Sequence, residues 1–292
     1  MKFGIGLPAT LSHVSGSLLL DWAREADVGP FSSLAVIDRL VYHNFDAFTT
    51  LTAAAGATRR IRLMTSVLLA PLYPAALLAK QLASLDALSE GRLTVGLGVG
   101  AREDDFLAVA APFHRRGKHF DAQLDLMQRI WSGQPLSEDI GVIGPRPVQL
   151  AGPEIILGGV SPTAIRRVGR WGNGYIAGTT GPERADKLFR LAEEAWQEAG
   201  RPGTPRLLAC TYVALDPDTF ERTRDAVLRY YAFAGPVARM ALETIPVGIT
   251  AIQETITRFQ HIGTDELLLF TGTPELEQLQ RLADLIGRSS LV

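Results

Sequence analysis

The chain has 292 residues, 29 Lys and Arg against 31 Asp and Glu, and a formal net charge of -2, with 47% hydrophobic and 21% charged residues. That balance removes any bulk electrostatic case for nucleic acid or an anionic membrane surface and points to a soluble, enzyme-sized globule whose partner is small. A single cysteine, Cys210, excludes an intramolecular disulfide and a multi-cysteine metal site; within the apolar run Leu207 to Leu215 it reads as a buried, inert thiol.

The start, MKFGIGLPAT, has no long apolar core behind a basic end, and no run approaches the ~18 residues of a membrane span, so a cytoplasmic location is the default expectation. Lys2 to Leu7 alternates as a short strand ended by Pro8, and Leu18 to Ala26 is an amphipathic helix with Ser17 as its expected cap. Leu34 to Ile37 is the second strand, stopping at Asp38; the loop RLVYHN leads to a helix from about Asp46 to Ala57, with Asn44 or Phe45 near its start. Ile61 to Gly100 then reads strand, helix, strand: apolar runs Leu63 to Leu69 and Leu93 to Val99 flank Leu78, Leu82 and Leu85 at helical spacing. Phe120, Leu124, Met127 and Trp131 mark a longer helix that Gly133 ends.

Gln134 to Pro153, rich in Gly and Pro, interrupts the rhythm as an inserted loop or small hairpin. Glu154 to Leu157, Gly174 to Ala177, Arg206 to Val213 and Glu266 to Phe270 complete eight strands. Between and after them the helical faces are clearest at Leu188 to Ala199, Ile249 to Phe259 and Leu276 to Ile286. No long insertion precedes the last strand. The pattern predicts one α/β domain over 1–292, a single (β/α)8 TIM barrel with a short insertion between strands four and five; a doubly wound sheet is the alternative.

A barrel of this kind places its site where the strands end, which selects Asp38, Ser66 onward, Gly98 to Glu103, Gly158 to Ser161 and Gly178 to Thr180. Asp38 either sits at the mouth as a functional carboxylate or is a loop carboxylate that caps a backbone amide or pairs with Arg39. His43, in the next loop, offers an imidazole that titrates near neutrality, or is a solvated loop residue. His13, His114, His119 and His261 form no metal-ligand spacing, and no metal is expected. GLGVG lacks the GxGxxG spacing of a dinucleotide turn, and the charges after it, including Glu103, read as a solvated helix start. GGVSP is a better phosphate signal: Gly158 and Gly159 end a strand, and Ser161 or Pro162 opens a helix with outward amides, although a capped turn accounts for it as well. Thr179 and Thr180 add hydroxyls. Asp86 and Arg92 are expected to pair between helix and strand, Lys80 and Arg116 to be structural, and Arg166 and Arg167 to face solvent.

TSVL, the helix start at Pro74, LLAKQLASLDALSEGRL, GLGVG and the later GG turn with RWGNGYIAG together resemble the bacterial luciferase-like family of FMN-dependent monooxygenases and F420-dependent oxidoreductases. The resemblance implies a cofactor, F420 or FMN, at the barrel mouth, and TSVL is similar to the F420-using branch. It implies a non-proline cis peptide at Ser66–Val67 behind the cofactor ring, with Gly98 nearby and phosphate at Gly158, Gly159 and Ser161. An acid at Asp38 is common in the family, usually followed by histidine where this chain has Arg39, and a family carboxylate falls near Glu103. A homodimer, a small organic substrate and, for FMN, a separate reductase are further implications. A metal-independent hydrolase or aldolase using Asp38 or Glu103, and a non-catalytic flavin-binding barrel, are the competing readings.

Overall fold

The structure is a computed structural model that describes residues 1–235 and 241–289. Eight parallel strands close into a barrel in chain order: β1 (Lys2–Gly6), β2 (Ser33–Val36), β3 (Arg62–Leu69), β4 (Leu93–Gly98), β5 (Glu154–Gly158), β6 (Gly174–Thr179), β7 (Arg206–Val213) and β8 (Glu266–Thr271). Closure is made by β8 pairing with β1, in register from Lys2 with Glu266 to Ile5 with Leu269, and this excludes the doubly wound sheet. The strands read as near-continuous apolar runs because both faces are covered. On β7, for example, Leu207, Ala209 and Val213 pack toward the helices, while Leu208, Cys210 and Tyr212 belong to the cluster filling the barrel with Met64, Ile156 and Phe270.

The outer helices include α1 (Gly16–Val28), α2 (Ala47–Ala57), α3 (Ala75–Leu88), α4 (Glu103–Ala108), α5 (Arg116–Trp131), α6 (Pro162–Trp171), α7 (Pro182–Glu198), α8 (Pro217–Tyr230), α9 (Ile249–His261) and α10 (Leu276–Ser289). Caps differ from the sequence expectation by a residue or two. Ser15, not Ser17, accepts from Leu18 N at the start of α1, and Asp46, not Asn44 or Phe45, caps α2. The segment 134–153 holds no strand or helix; it has a tight turn in which Ser137 N donates to Ile140 O, and a cis Gly144–Pro145 bond.

Three expectations about charges are corrected or refined. Asp86 and Arg92 do not pair with each other. Asp86 accepts from Val148 N, Gln149 N and Gln149 Nε2 at 2.8, 3.1 and 2.6 Å, which ties down the inserted loop. Arg92 instead donates to the carbonyls of Ala55, Thr58 and Ile61, which satisfies the C-terminal end of α2. Arg167 is buried rather than solvated, with Nε 2.6 Å from Asp121 Oδ1 across the α5–α6 contact. Lys80 and Arg116 are structural, donating to the Gly144 carbonyl and to those of Gly100 and Phe113.

The N-terminal end of the barrel is closed by ions. Glu266, 1% exposed, accepts from Ser32 Oγ and Ser33 Oγ and pairs with Arg206, whose Nη1 also reaches Glu154 at 2.6 Å. Gly4 leaves room for this cluster, since a Cβ there would fall 2.3 Å from Ser33 Oγ.

Candidate active site

At the opposite, C-terminal end, β3 departs from regular pairing with β4 between Thr65 and Leu68, and the Ser66–Val67 peptide is cis. The glycines of GLGVG make this possible. A Cβ on Gly96 would come within 2.0 Å of the Thr65 carbonyl, and one on Gly98 within 2.9 Å of Val67 Cγ2, so β4 carries no side chains where the bulge of β3 presses on it. Asp38 lies just past β2, 5% exposed, with Oδ2 accepting from Leu69 N at 2.9 Å and the Tyr73 hydroxyl within 3.5 Å of both oxygens. Burial pushes its carboxyl up to about 6; the Leu69 amide pulls the other way, and the Asp46 and Asp105 charges add to the rise. The Tyr73 phenol is raised well above its ordinary value by burial and by Asp38, so it stays protonated and donates.

These groups border a cavity of about 290 Å³ whose floor includes Ser66, Val67, Gly158, Gly159, Ile176, Thr179 and Cys210. Cys210 Sγ lies 3.4 Å from Ser66 Oγ, and burial holds its thiol up at about 12. The roof comes from the connection between β7 and β8: Tyr230 at the end of α8, then Tyr231 and Phe233. Tyr231 is tied to the mouth of β6 through a 3.3 Å contact between its hydroxyl and Thr179 Oγ1. Two arginines pack against this roof. Arg39 and Arg102 both donate to the Tyr230 carbonyl, and the Arg102 guanidinium lies 4.6 Å from the Tyr230 ring centroid and 4.0 Å from that of Phe233. A second cavity of about 610 Å³ shares Val160, Gly178, Thr179 and Tyr231 with the first and adds Thr180, Gly181 and Arg184, so the two form one groove. A Cβ added to Gly178 would meet nothing within 4 Å, and the backbone there borders open space. An elongated ligand suits this outline: a largely apolar inner chamber with one carboxyl, Asp38, and one guanidinium, Arg102, and an outer chamber with the Thr179 and Thr180 hydroxyls, Arg184 and the carboxylates of Glu183 and Glu243.

The model of the luciferase-like monooxygenase family matches residues 1–275. The chain belongs to that family. It is 29% identical to an F420-dependent glucose-6-phosphate dehydrogenase of Beutenbergia cavernae, over 76% of this chain and 72% of that one. It is 30% identical to an uncharacterized protein of Mycobacterium tuberculosis (strain H37Rv) over 171 residues, 56% of this chain and three fifths, 60%, of the relative's length. The fold matches, with a TM-score of 0.72 at 20% identity, the oxygenating constituent of 3,6-diketocamphane monooxygenase from Pseudomonas putida, solved with FMN, covering 93% of this chain and 91% of that one.

In this luciferase-like chain the groove brings together Asp38, Ser66, Val67, Gly158, Gly159, Thr179 and Thr180. Four expected residues lie elsewhere. His43 is exposed at the rim, with Nε2 3.2 Å from Ser12 Oγ and its ring against Tyr42. Glu103 is exposed at the start of α4, because that helix turns Asp105 and Phe106 inward. Gly98 serves the bulge, and Ser161 is exposed, its hydroxyl accepting from Ala164 N as the cap of α6. Tyr230, Tyr231 and Arg184 were missed, and Arg102, inside the selected stretch Gly98 to Glu103, is buried where the sequence suggests a solvated helix start. The helix ending in Tyr230 was itself not read, although Asp216, Pro217 and Thr219 are a start signal. Among the described residues no group of three His, Cys, Asp or Glu side chains could hold a metal ion, and no helix is long and apolar enough to cross a membrane.

Proposed function

We propose that this luciferase-like chain is an oxidoreductase that binds F420 or FMN in the groove and uses it to reduce, oxidise or monooxygenate a small organic substrate. The observation that carries the reading is the groove of two adjoining chambers, with the Ser66–Val67 bulge and the buried Asp38 carboxyl in one and Thr179, Thr180 and Arg184 in the other. Ser66 and Val67 would back the ring. Gly158, Gly159, Gly178 and Thr179 would line the path of the polar tail, and Thr180 and Arg184 would meet its anionic end, where Glu183 is paired with Arg258 and Glu243 also borders the chamber. When bound, the cofactor supplies hydride transfer or oxygen activation.

The protein's own part is placement and proton handling. Asp38 is held by Leu69 N and Tyr73, and a carboxyl poised at about 6 can either give or take a proton at near-neutral pH. Tyr230, Tyr231 and Phe233 border the inner chamber and would limit water at the reacting face once a ligand is seated there. TSVL at residues 65–68 favours F420 over FMN.

The test is a titration of purified protein with F420 and with FMN, oxidised and reduced, followed by fluorescence. Binding of one of them at micromolar concentration, with reoxidation of the reduced form accelerated by an organic acceptor or by oxygen, is the expected result. Failure of both to bind overturns the reading, and tight retention without turnover favours a non-catalytic flavin-binding barrel.

A further inference from the structure

Arg102 lines the inner chamber while only 8% exposed. A guanidinium carries five N–H donors. Here Nη2 donates 3.1 Å to the Tyr230 carbonyl, the guanidinium also faces the Tyr230 phenol, and Nε is buried without a partner. The neighbouring acids are engaged elsewhere or turned away. Asp104 pairs with Arg39 at 3.5 Å, Asp105 accepts the amides of Leu40 and Val41 through Oδ1 while its Oδ2 is buried without a hydrogen-bond partner, and Glu103 is exposed. Among the described residues Arg102 has no carboxylate partner. A buried cation of this kind is costly when left unpaired, and the rings of Tyr230 and Phe233 offset only part of that cost.

Arg102 borders the inner chamber alone, beside Asp38 and Val67, and takes no part in the outer chamber of Thr180 and Arg184. Its side chain is therefore at the inner, Asp38 end of the groove. We propose that Arg102 is a specificity residue that binds the carboxylate of the substrate, which is an organic acid with an apolar body seated against Tyr230, Phe233 and Phe270. The planar fork of arginine matches a carboxylate through two parallel hydrogen bonds, which orients the acid as well as holding it. This rests on the oxidoreductase reading for the chemistry that follows binding, but not for the binding itself.

The experiment uses benzoate and cyclohexanecarboxylate against their neutral amides, titrated calorimetrically into the whole protein with and without F420 or FMN. Wild type should bind each acid at least about tenfold more tightly than its amide. Arg102→Met should abolish that preference while changing the Kd for F420 or FMN less than about threefold, and Arg102→Lys should restore part of it, because the charge remains and the fork is lost. Equal binding of acid and amide by the wild type, or no binding of either acid, overturns the proposal. A parallel loss of cofactor and acid binding in a folded Arg102→Met overturns it too, since the arginine would then hold the cofactor. Should Arg102→Met fail to fold, the wild-type preference and the Arg102→Lys variant decide the matter. An acid preference with no cofactor binding leaves the proposal standing and removes the oxidoreductase reading; the reverse pattern removes the proposal alone.

Discussion

Burial raises Asp38 from 3.8 to about 6, so in this interval the folded protein binds a proton more tightly than the unfolded chain does. Stability must therefore fall as pH rises through that window: below it both states hold the neutral acid, and above it the folded state carries a buried anion. Asp38→Asn removes the effect. Thermal unfolding should show wild type and variant parallel near about pH 3, with the variant gaining about 2–3 kcal/mol on the wild type by about pH 7. The pH profile of kcat/KM should inflect near 6 in the wild type and lose that inflection in the variant; a stability difference independent of pH would mean that another group titrates. Asp38 was legible in the sequence because an apolar strand gives way to a carboxylate there. Arg102 was not, because within Arg102 to Asp105 it looks like one more charge on a wet helix start, and only the fold shows the roof that buries it.

Among the elements, α8 is the one whose position decides the roof. Asp216 caps it, with Oδ1 accepting from Thr219 N at 2.8 Å and Oδ2 accepting from Arg281 Nη1 at 2.8 Å, and these bonds hold its carboxyl well below the usual range. Asp216→Ala removes a cap and an exposed ion pair, and urea denaturation should register a loss of about 1–2 kcal/mol. Because the far end of the same helix carries Tyr230, KM for substrate should rise while the Kd for cofactor, which the proposed site places at β3, β5 and β6, stays put. Unchanged KM would show that the roof holds its place without the cap. The strands were readable from their apolar runs, and their boundaries moved by one or two residues. The glycines of GLGVG were not readable as steric, since nothing in one strand tells what its neighbour does; the bulge that needs them lies on β3.

Across the whole molecule the barrel separates two tasks. One end is held by Glu266, Arg206 and Glu154, and the other carries the groove. Glu266→Ala leaves Ser33 without an acceptor, Ser32 with the Phe3 carbonyl only and Arg206 with Glu154 alone, and should cost about 3 kcal/mol in urea unfolding. Titration with cofactor under native conditions should give the wild-type Kd, because the change is made at the far end of the strands. A variant that binds cofactor weakly while folded would show that the two ends are coupled. Fold class was legible because eight alternations of strand and helix have few ways to close, whereas the site was legible only where a strand ended in an unusual residue.

The roof also has a bearing on how such a protein can diverge. Tyr230, Tyr231 and Phe233 lie within four consecutive positions at the end of one helix, so a single-residue insertion or deletion in α8 would turn all of them by about 100° together. Placed after Val227, which packs in the barrel cluster, such a change leaves the contacts of α8 with the barrel in register. Changes of substrate in descendants of this chain can thus come from length variation in one connection, in a single step, where point substitutions would need to alter each ring in turn.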